Sequence, residues 1–329
     1  MISCTTASRD LSEPLAGTAA TATTWLLLEQ PGPWGAEALT ASHLAPAVGR
    51  ALERAAKGTG VRVALIRRPG RHADCHTPAR QRVFVAHTRP GDSWIRTTTL
   101  TEPERLLALD FAALGAGDPR GLRPVTTSPG RAGQRRWEEY TGDPLVLVCT
   151  NGKRDRCCAL LGRPLAGELT ASGARSTWEV THLGGHRFAP TLVVLPYGYT
   201  YGRATARSVR DVLDGLRAGR VVTENCRGRS TWDRPGQAAE LAVRELTGEA
   251  GPDALTVLRA EGAAPAWTVT VGHADGRRWR VDVMQVAAAP PRPESCGAAL
   301  GSPARMEVVG VRAVRTERVA PTVAAGAPG

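Results

Sequence analysis

Two histidines in the stretch Trp178–Pro190 (WEVTHLGGHRFAP) have the spacing of a ligand pair. His182 and His186 are separated by one leucine and two glycines. On a helix, histidines at i and i+4 would share a face, but two adjacent glycines cost about 2 kcal/mol there relative to alanine. The preceding residues 176–181 are mostly aromatic and β-branched, which predicts a strand. We therefore expect both histidines at a strand end and on the loop after it, where a metal would need further ligands from elsewhere in the chain.

Thiols follow a second predicted strand. Residues 145–148 (LVLV) are wholly apolar, as expected for a buried strand, and Cys149 comes directly after them. After TNGKRDR come Cys157 and Cys158, at the start of a mostly apolar helix predicted over 158–171. If the strands before the thiols and before the histidines are parallel neighbours, their ends lie at one edge of the sheet, where loops converge. Four sulfur and imidazole ligands suit zinc or an iron–sulfur cluster.

The elements that must position these residues occur in an order that repeats. The first run is β-α-β-β-β-α, with strands at 25–30, 61–67, 82–88 and 93–99, a helix over 40–57, and a second helix opened by a capping box at Thr101–Glu104. The second run has strands at 145–148, 177–182, 191–195 and 199–204, with helices over 158–171 and 205–217. This duplication of architecture predicts an α/β protein with two tandem thioredoxin-like units.

The rest of the chain predicts a smaller C-terminal region. A helix over 235–247, a strand near 254–259, a hairpin of 266–272 and 278–286, and a strand over 306–315 indicate an α+β unit. The predicted divisions are a degenerate thioredoxin-like unit (1–118), a Gly-, Pro- and Arg-rich linker (119–138), a second thioredoxin-like unit (139–221), the α+β region (222–317) and a disordered tail (318–329).

Composition narrows the possible partners. The formal charge is +11, but nearly all the cations are arginine, with lysine only at 57 and 153, and they are dispersed. Dispersed arginines in an Ala-, Gly- and Pro-rich chain are explained more simply by the base composition of the genome than by a binding patch. No nucleic-acid partner is therefore expected. No apolar run of the roughly 20 residues that span a bilayer is present, which predicts a cytoplasmic protein with no membrane partner. The seven scattered cysteines do not form a disulfide framework and are expected to be free, redox-active or metal-binding.

Several motifs together resemble one known family. CTNGKRDRCC, HLGGHRFAP, LPYGYTYGR, EPLAGTA, WLLLEQPGPWG and CRGRS are similar to the sucrase/ferredoxin-like proteins, which contain a thioredoxin-like ferredoxin domain. The resemblance implies a 2Fe–2S cluster held by Cys149, Cys158, His182 and His186. Cys157 is an alternative for the second thiol, and Cys158 is favoured by its spacing. Many members have a histidine where this chain has Asn151.

Replacing two thiolates by neutral imidazoles leaves a cluster less negative and easier to reduce. Rieske centres, which have such ligands, lie at about −150 to +300 mV, against about −400 mV for plant-type ferredoxins. An imidazole can also lose a proton, so we expect a pH-dependent potential and proton-coupled one-electron transfer to an unidentified redox partner protein.

Other functions remain open from the residues alone. A Cys₂His₂ set also suits a zinc-stabilised interaction module. An enzyme acting on sugars or in redox chemistry through the thioredoxin-like units is a further alternative, but no carboxylate pair stands out as acid and base and no C-x-x-C is present. We therefore expect an electron carrier rather than a hydrolase. A second H-x3-H, His72 and His76 beside Cys75, is interpreted as part of a degenerate copy.

Overall fold

A ten-stranded mixed sheet organises the larger part of the protein. The computed structural model describes residues 3–70, 80–123 and 136–314. Strands run in the order β10-β9-β8-β6-β7-β2-β1-β3-β4-β5. Their bounds are β1 Thr24–Glu29, β2 Val61–Arg67, β3 Gln81–His87, β4 Trp94–Leu100, β5 Glu138–Glu139, β6 Leu145–Cys149, β7 Thr177–Val180, β8 Leu192–Leu195, β9 Tyr199–Tyr201 and β10 Cys226–Arg229. The α/β prediction is confirmed at the level of a mixed α/β protein with a large mixed sheet.

Both halves of this sheet have the same local connections. β1 and β2 are parallel and joined through helix α2 (Pro46–Ala56), and β3 and β4 continue antiparallel on the other side of β1. Likewise β6 and β7 are parallel and joined through α4 (Arg156–Ala171), with β8 and β9 antiparallel beyond β6. Helices α3 (Phe111–Ala116) and α5 (Ala206–Arg217) follow the last strand of each run. The halves meet where β2 pairs antiparallel with β7.

The halves also share a hydrophobic core. Trp25 and Phe84 of the first half belong to the same buried cluster as Leu147 and Trp178 of the second, and the Phe84 and Trp178 rings are 5.6 Å apart, edge to face. The flanking residues of β6, Val146 and Val148, face a second cluster that contains residues of α4 and α5. Because both faces of β6 are covered, the strand is apolar at every position.

The C-terminal region is a helix packed on a four-stranded antiparallel sheet. Helix α6 (Arg234–Thr247) contributes to a core with strands β11 Leu255–Ala263, β12 Ala266–His273, β13 Arg278–Ala287 and β16 Ala304–Val314, while β14 Arg292–Pro293 and β15 Leu300–Gly301 form a separate hairpin. A buried network attaches α6 to the large sheet: Tyr199 donates to Glu240 at 2.6 Å, and Arg244 donates to both.

Three local expectations differ from the structure. The capping box at Thr101–Glu104 is wrong, because Glu102 precedes a 3₁₀ helix (Pro103–Ala108) without a side-chain cap; Asp110 caps the α-helix that follows. Helix α1 (Cys4–Asp10) and strand β10 were not predicted, and both lie near the thiols and histidines.

The 315–329 segment, residues 124–135 of the linker and the His72, Cys75 and His76 group lie outside the described residues. Within the described ranges, no helix has the length and apolarity needed to cross a bilayer.

Candidate functional site

The thiol side of the site is formed by the end of β6 and the start of α4. Cys149 is the last residue of β6 and is 1% exposed. The turn that follows is held by Asn151, whose Oδ1 accepts from the backbone N–H of Lys153 at 3.2 Å. Asp155 then caps α4, because its Oδ1 accepts from the N–H of Cys157 at 2.8 Å. This cap places Cys158 in the first helical turn, where it is 1% exposed.

The histidine side is a glycine loop after β7. Strand β7 is parallel to β6, with Val180 opposite Cys149, so both strands end at the same edge. Gly184 and Gly185 have φ of +79° and +71°, the left-handed region that glycine enters without strain. A 3₁₀ turn begins at His186 directly after them. The expectation of a strand end followed by a tight loop, with no helix through the glycines, is confirmed.

The two loops bring the four predicted side chains together. The Sγ of Cys158 is 3.5 Å from Nδ1 of His186. The rings of His182 and His186 are stacked, with centroids 4.4 Å apart and planes at 26°. Cys149 lies close enough to Cys158 and His182 for both side chains to lower the pKa of its thiol. The arrangement is a closed ring of two sulfurs and two imidazoles.

The thiols of this ring are unequal in acidity. The hydrogen bond from Cys158, with a further one from His182, lowers the pKa of Cys149 well below its ordinary value although the sulfur is buried. The pKa of Cys158 is raised, because its proton is held by the Cys149 sulfur and because it is buried. Burial and the neighbouring His182 lower the pKa of His186. Cys149 is therefore the thiol of the pair that loses its proton more readily, and the thiolate is the form that binds metals.

Two arginines, Arg227 buried and Arg62 half-buried, hold the histidine loop. Arg227, 0% exposed, donates from Nη1 to the carbonyl of Gly184 at 3.0 Å and from Nε to Thr18 Oγ1 at 3.0 Å. Arg62 donates from Nη2 to the carbonyl of His182 at 2.9 Å. Burial lowers the pKa of Arg227 to about 9. Neither role was predictable from the sequence, apart from the presence of Arg227 in CRGRS, because their partners come from distant segments.

Solvent reaches the imidazoles but not the thiols. His182 and His186 are half-buried, whereas both cysteines are buried. Helix α1 lies over the loop, where Thr5 donates to the carbonyl of His186 at 3.3 Å and Arg9 to that of Ala189 at 3.3 Å. The imidazoles therefore form the part of the site that faces solvent.

The adjacent thiols face different neighbours. Cys158 faces His186, while the Sγ of Cys157 is 3.0 Å from that of Cys296 and 3.6 Å from that of Cys4. Cys157, the alternative thiol in the sequence analysis, therefore has its sulfur in a second group of thiols in this structure. Sequence reasoning missed that group.

Comparisons with known proteins agree with the motifs. The family model described as sucrase/ferredoxin-like matches residues 15–228. A protein of Meyerozyma guilliermondii named "Altered inheritance of mitochondria protein 32" is 32% identical over 102 residues, which cover 28% of this chain and 36% of that protein. The matched stretch thus spans about a third of this relative's length. No solved structure matches the chain significantly.

Proposed function

Because the chain belongs to the sucrase/ferredoxin-like family, we propose that it is an electron-transfer protein that binds a 2Fe–2S cluster through Cys149, Cys158, His182 and His186. The observation that carries this proposal is the convergence of two buried thiols and two half-buried imidazoles at one sheet edge. Such a cluster, when bound, accepts and releases one electron.

The donor set fits a cluster of this kind. Thiolates are the usual ligands of iron–sulfur clusters, and imidazoles replace two of them in Rieske-type centres. The pKa of Cys149 is lowered, whereas that of Cys158 is raised, so a bound centre would have to displace the proton that Cys158 shares with Cys149. The guanidinium groups of the half-buried Arg62 and the buried Arg227 place positive charge beside the ligand loop. That charge offsets the negative charge of a thiolate-ligated centre.

In this proposal the two cysteines and the two histidines have different roles. The buried cysteines exclude water from the sulfur side. The half-buried histidines face the side from which a partner would approach, and their ring nitrogens can take up or release a proton there. We propose proton-coupled one-electron transfer with a redox partner protein in a reducing compartment such as the cytoplasm.

The thioredoxin-like interpretation of the fold is part of this proposal. Its support is the matching strand order of the halves, β2-β1-β3-β4 and β7-β6-β8-β9, each with one parallel crossover pair. The second half would be the working ferredoxin unit and the first half a degenerate copy.

Zinc is the second candidate for the same residues. The 3.5 Å separation of Cys158 Sγ and His186 Nδ1 also suits two ligands of one tetrahedral ion. A zinc site would make the protein an interaction module without redox activity.

Anaerobic purification with iron, zinc and acid-labile sulfide analysis distinguishes these candidates. We expect two irons and two sulfides per chain, visible absorption that dithionite bleaches, and loss of both in Cys158→Ser and His182→Ala. Cys226→Ser is the matched control, because Cys226 is also a buried free thiol but lies in another core cluster. A colourless wild-type protein that contains zinc and lacks sulfide would refute the redox proposal.

A further inference from the structure

A second group of thiols lies next to the four-residue ring and is not part of the proposed electron-transfer site. Cys4, Cys157 and Cys296 come from helix α1, helix α4 and the β14–β15 loop, segments far apart in the chain. Their sulfurs form a triangle with sides of 3.0 Å (Cys157 to Cys296), 3.6 Å (Cys4 to Cys157) and 3.6 Å (Cys4 to Cys296). Cys4 and Cys157 are buried, and Cys296 is half-buried.

A buried carboxylate completes this cluster. Asp155 is 4% exposed, and its Oδ1 accepts from the N–H of Cys157 at 2.8 Å while its Oδ2 accepts from the N–H of Cys296 at 2.9 Å. The Sγ of Cys4 is 3.9 Å from the same Oδ2. One ligand atom of each of the four residues lies within 4.8 Å of every other. The carboxylate thus fixes the backbone beside two thiols and points an oxygen at the third.

The triangle has the dimensions of a mononuclear metal site. A zinc–sulfur bond of about 2.3 Å places the sulfurs of a tetrahedral site roughly 3.8 Å apart. The observed sides fall short of that by less than about 1 Å, so small outward movements of the side chains would admit an ion. Three thiols packed against one another have only weak hydrogen bonds to offer, whereas their thiolates would be neutralised by a divalent cation.

A buried ion network joins two of these segments, α1 and the β14–β15 hairpin, to the histidine loop. Glu13, which follows α1, accepts from Arg187 Nε at 2.9 Å and from Arg292 Nε at 3.1 Å. Arg187 lies in the histidine loop, and Arg292 lies four residues before Cys296. The segments that carry Cys4 and Cys296 are therefore held in place by buried ion pairs and do not depend on one surface loop.

We propose that Cys4, Cys157, Cys296 and Asp155 form a second metal site that binds one Zn²⁺ ion. The three thiols release their protons to solvent on binding, and the carboxylate supplies the fourth ligand. The bound ion joins the N-terminal helix and the C-terminal hairpin to α4 and fixes α1 over the histidine loop. No electron is transferred at this site.

Metal analysis of the full-length protein, purified anaerobically and freed of loosely bound metal by gel filtration, tests the proposal. We expect one zinc per chain in the wild type, lost in Cys4→Ser and in Cys296→Ser, with iron and sulfide unchanged in both variants. The control variant Cys226→Ser should keep its zinc, iron and sulfide. Addition of Co²⁺ to the metal-free wild type should produce thiolate-to-cobalt charge-transfer absorption, and Cys296→Ser should lack the part contributed by this site.

The outcomes separate this site from the proposed cluster. If zinc occupies both sites, the wild type holds two zincs, Cys158→Ser removes one and Cys296→Ser removes the other; the second site then stands while the redox proposal fails. An iron-loaded wild type without zinc overturns the second site, whatever the variants do. So does a Cys157–Cys296 disulfide found by alkylation without reduction in freshly prepared anaerobic protein.

Discussion

The adjacent glycines of the histidine loop provide a matched pair of substitutions. Gly184 and Gly185 both have positive φ, so alanine at either position enters the left-handed region at a cost of about 1–2 kcal/mol. Their surroundings differ. A Cβ on Gly184 would have Ala20 Cβ at 4.0 Å as its nearest neighbour, whereas a Cβ on Gly185 would overlap the guanidinium of Arg227, 2.7 Å from Cζ.

This difference sets the expected magnitudes. Gly184→Ala should lower the free energy of unfolding by about 1 kcal/mol, because part of the backbone strain is offset by the lower entropy of the unfolded chain. Gly185→Ala must also displace Arg227, which is fully buried and cannot reach water. Loss of its hydrogen bond to the Gly184 carbonyl adds about 2 kcal/mol, within the range for hydrogen bonds of charged groups. The total for Gly185→Ala is about 3 kcal/mol.

Denaturant unfolding of both variants and the wild type, prepared in parallel, measures the two costs. Iron content and the visible spectrum report whether the loop still presents both imidazoles. We expect Gly184→Ala to retain its iron and Gly185→Ala to retain much less. Equal destabilisation of the two variants, with equal iron content, would refute the assignment of Arg227 as the support of the loop.

Three further predictions concern charge and protons. The midpoint potential should fall with rising pH, approaching about 59 mV per unit, and a constant value between pH 6 and 10 would contradict proton coupling at the histidines. Arg227→Gln should lower the potential, since a buried positive charge stabilises the more negative reduced state; potentiometry should show no such shift in the exposed control Arg210→Gln, and equal shifts would exclude a local effect. Burial lowers the pKa of His87 to about 4, whereas an unfolded histidine titrates near 6.5. Its stabilising contribution is therefore complete above pH 6.5 and is lost as the pH falls towards 4, by about 2 kcal/mol between pH 7 and pH 5. Urea unfolding of His87→Gln should lack this part of the pH dependence, and an unchanged dependence would show that another group causes it.

The parts of the site that were predictable depend on local sequence. Four consecutive apolar residues before Cys149 indicated a buried strand, and the glycines between His182 and His186 excluded a helix. Parallel pairing of β6 and β7 then places both sets of ligands at one edge, as the structure has them. Each step needed only residues close in sequence and a common rule of sheet topology.

The parts that were missed depend on contacts between distant segments. Strand β10 has the sequence CRGR, and nothing local shows that Arg227 and Arg229 are buried, because their partners are carbonyl groups of other loops. Cys4 and Cys296 are separated by 292 positions, so no spacing motif connects them. The antiparallel joint between β2 and β7, which makes one sheet of the two halves, likewise left no sequence signal.

The adjacent cysteines of α4 would allow the two proposed metal sites to share one helix terminus. Successive helical residues point about 100° apart, so Cys157 and Cys158 project in different directions from the first turn of the helix. In the structure they diverge, one towards Cys296 and the other towards His186. Asp155, which caps the helix, lies within 4.8 Å of ligand atoms in both groups. Zinc bound by Cys4, Cys157 and Cys296 would thereby fix the start of α4, which positions Cys158. Removal of that zinc should lower the retention of iron during a chelator challenge without changing the iron content of freshly prepared protein.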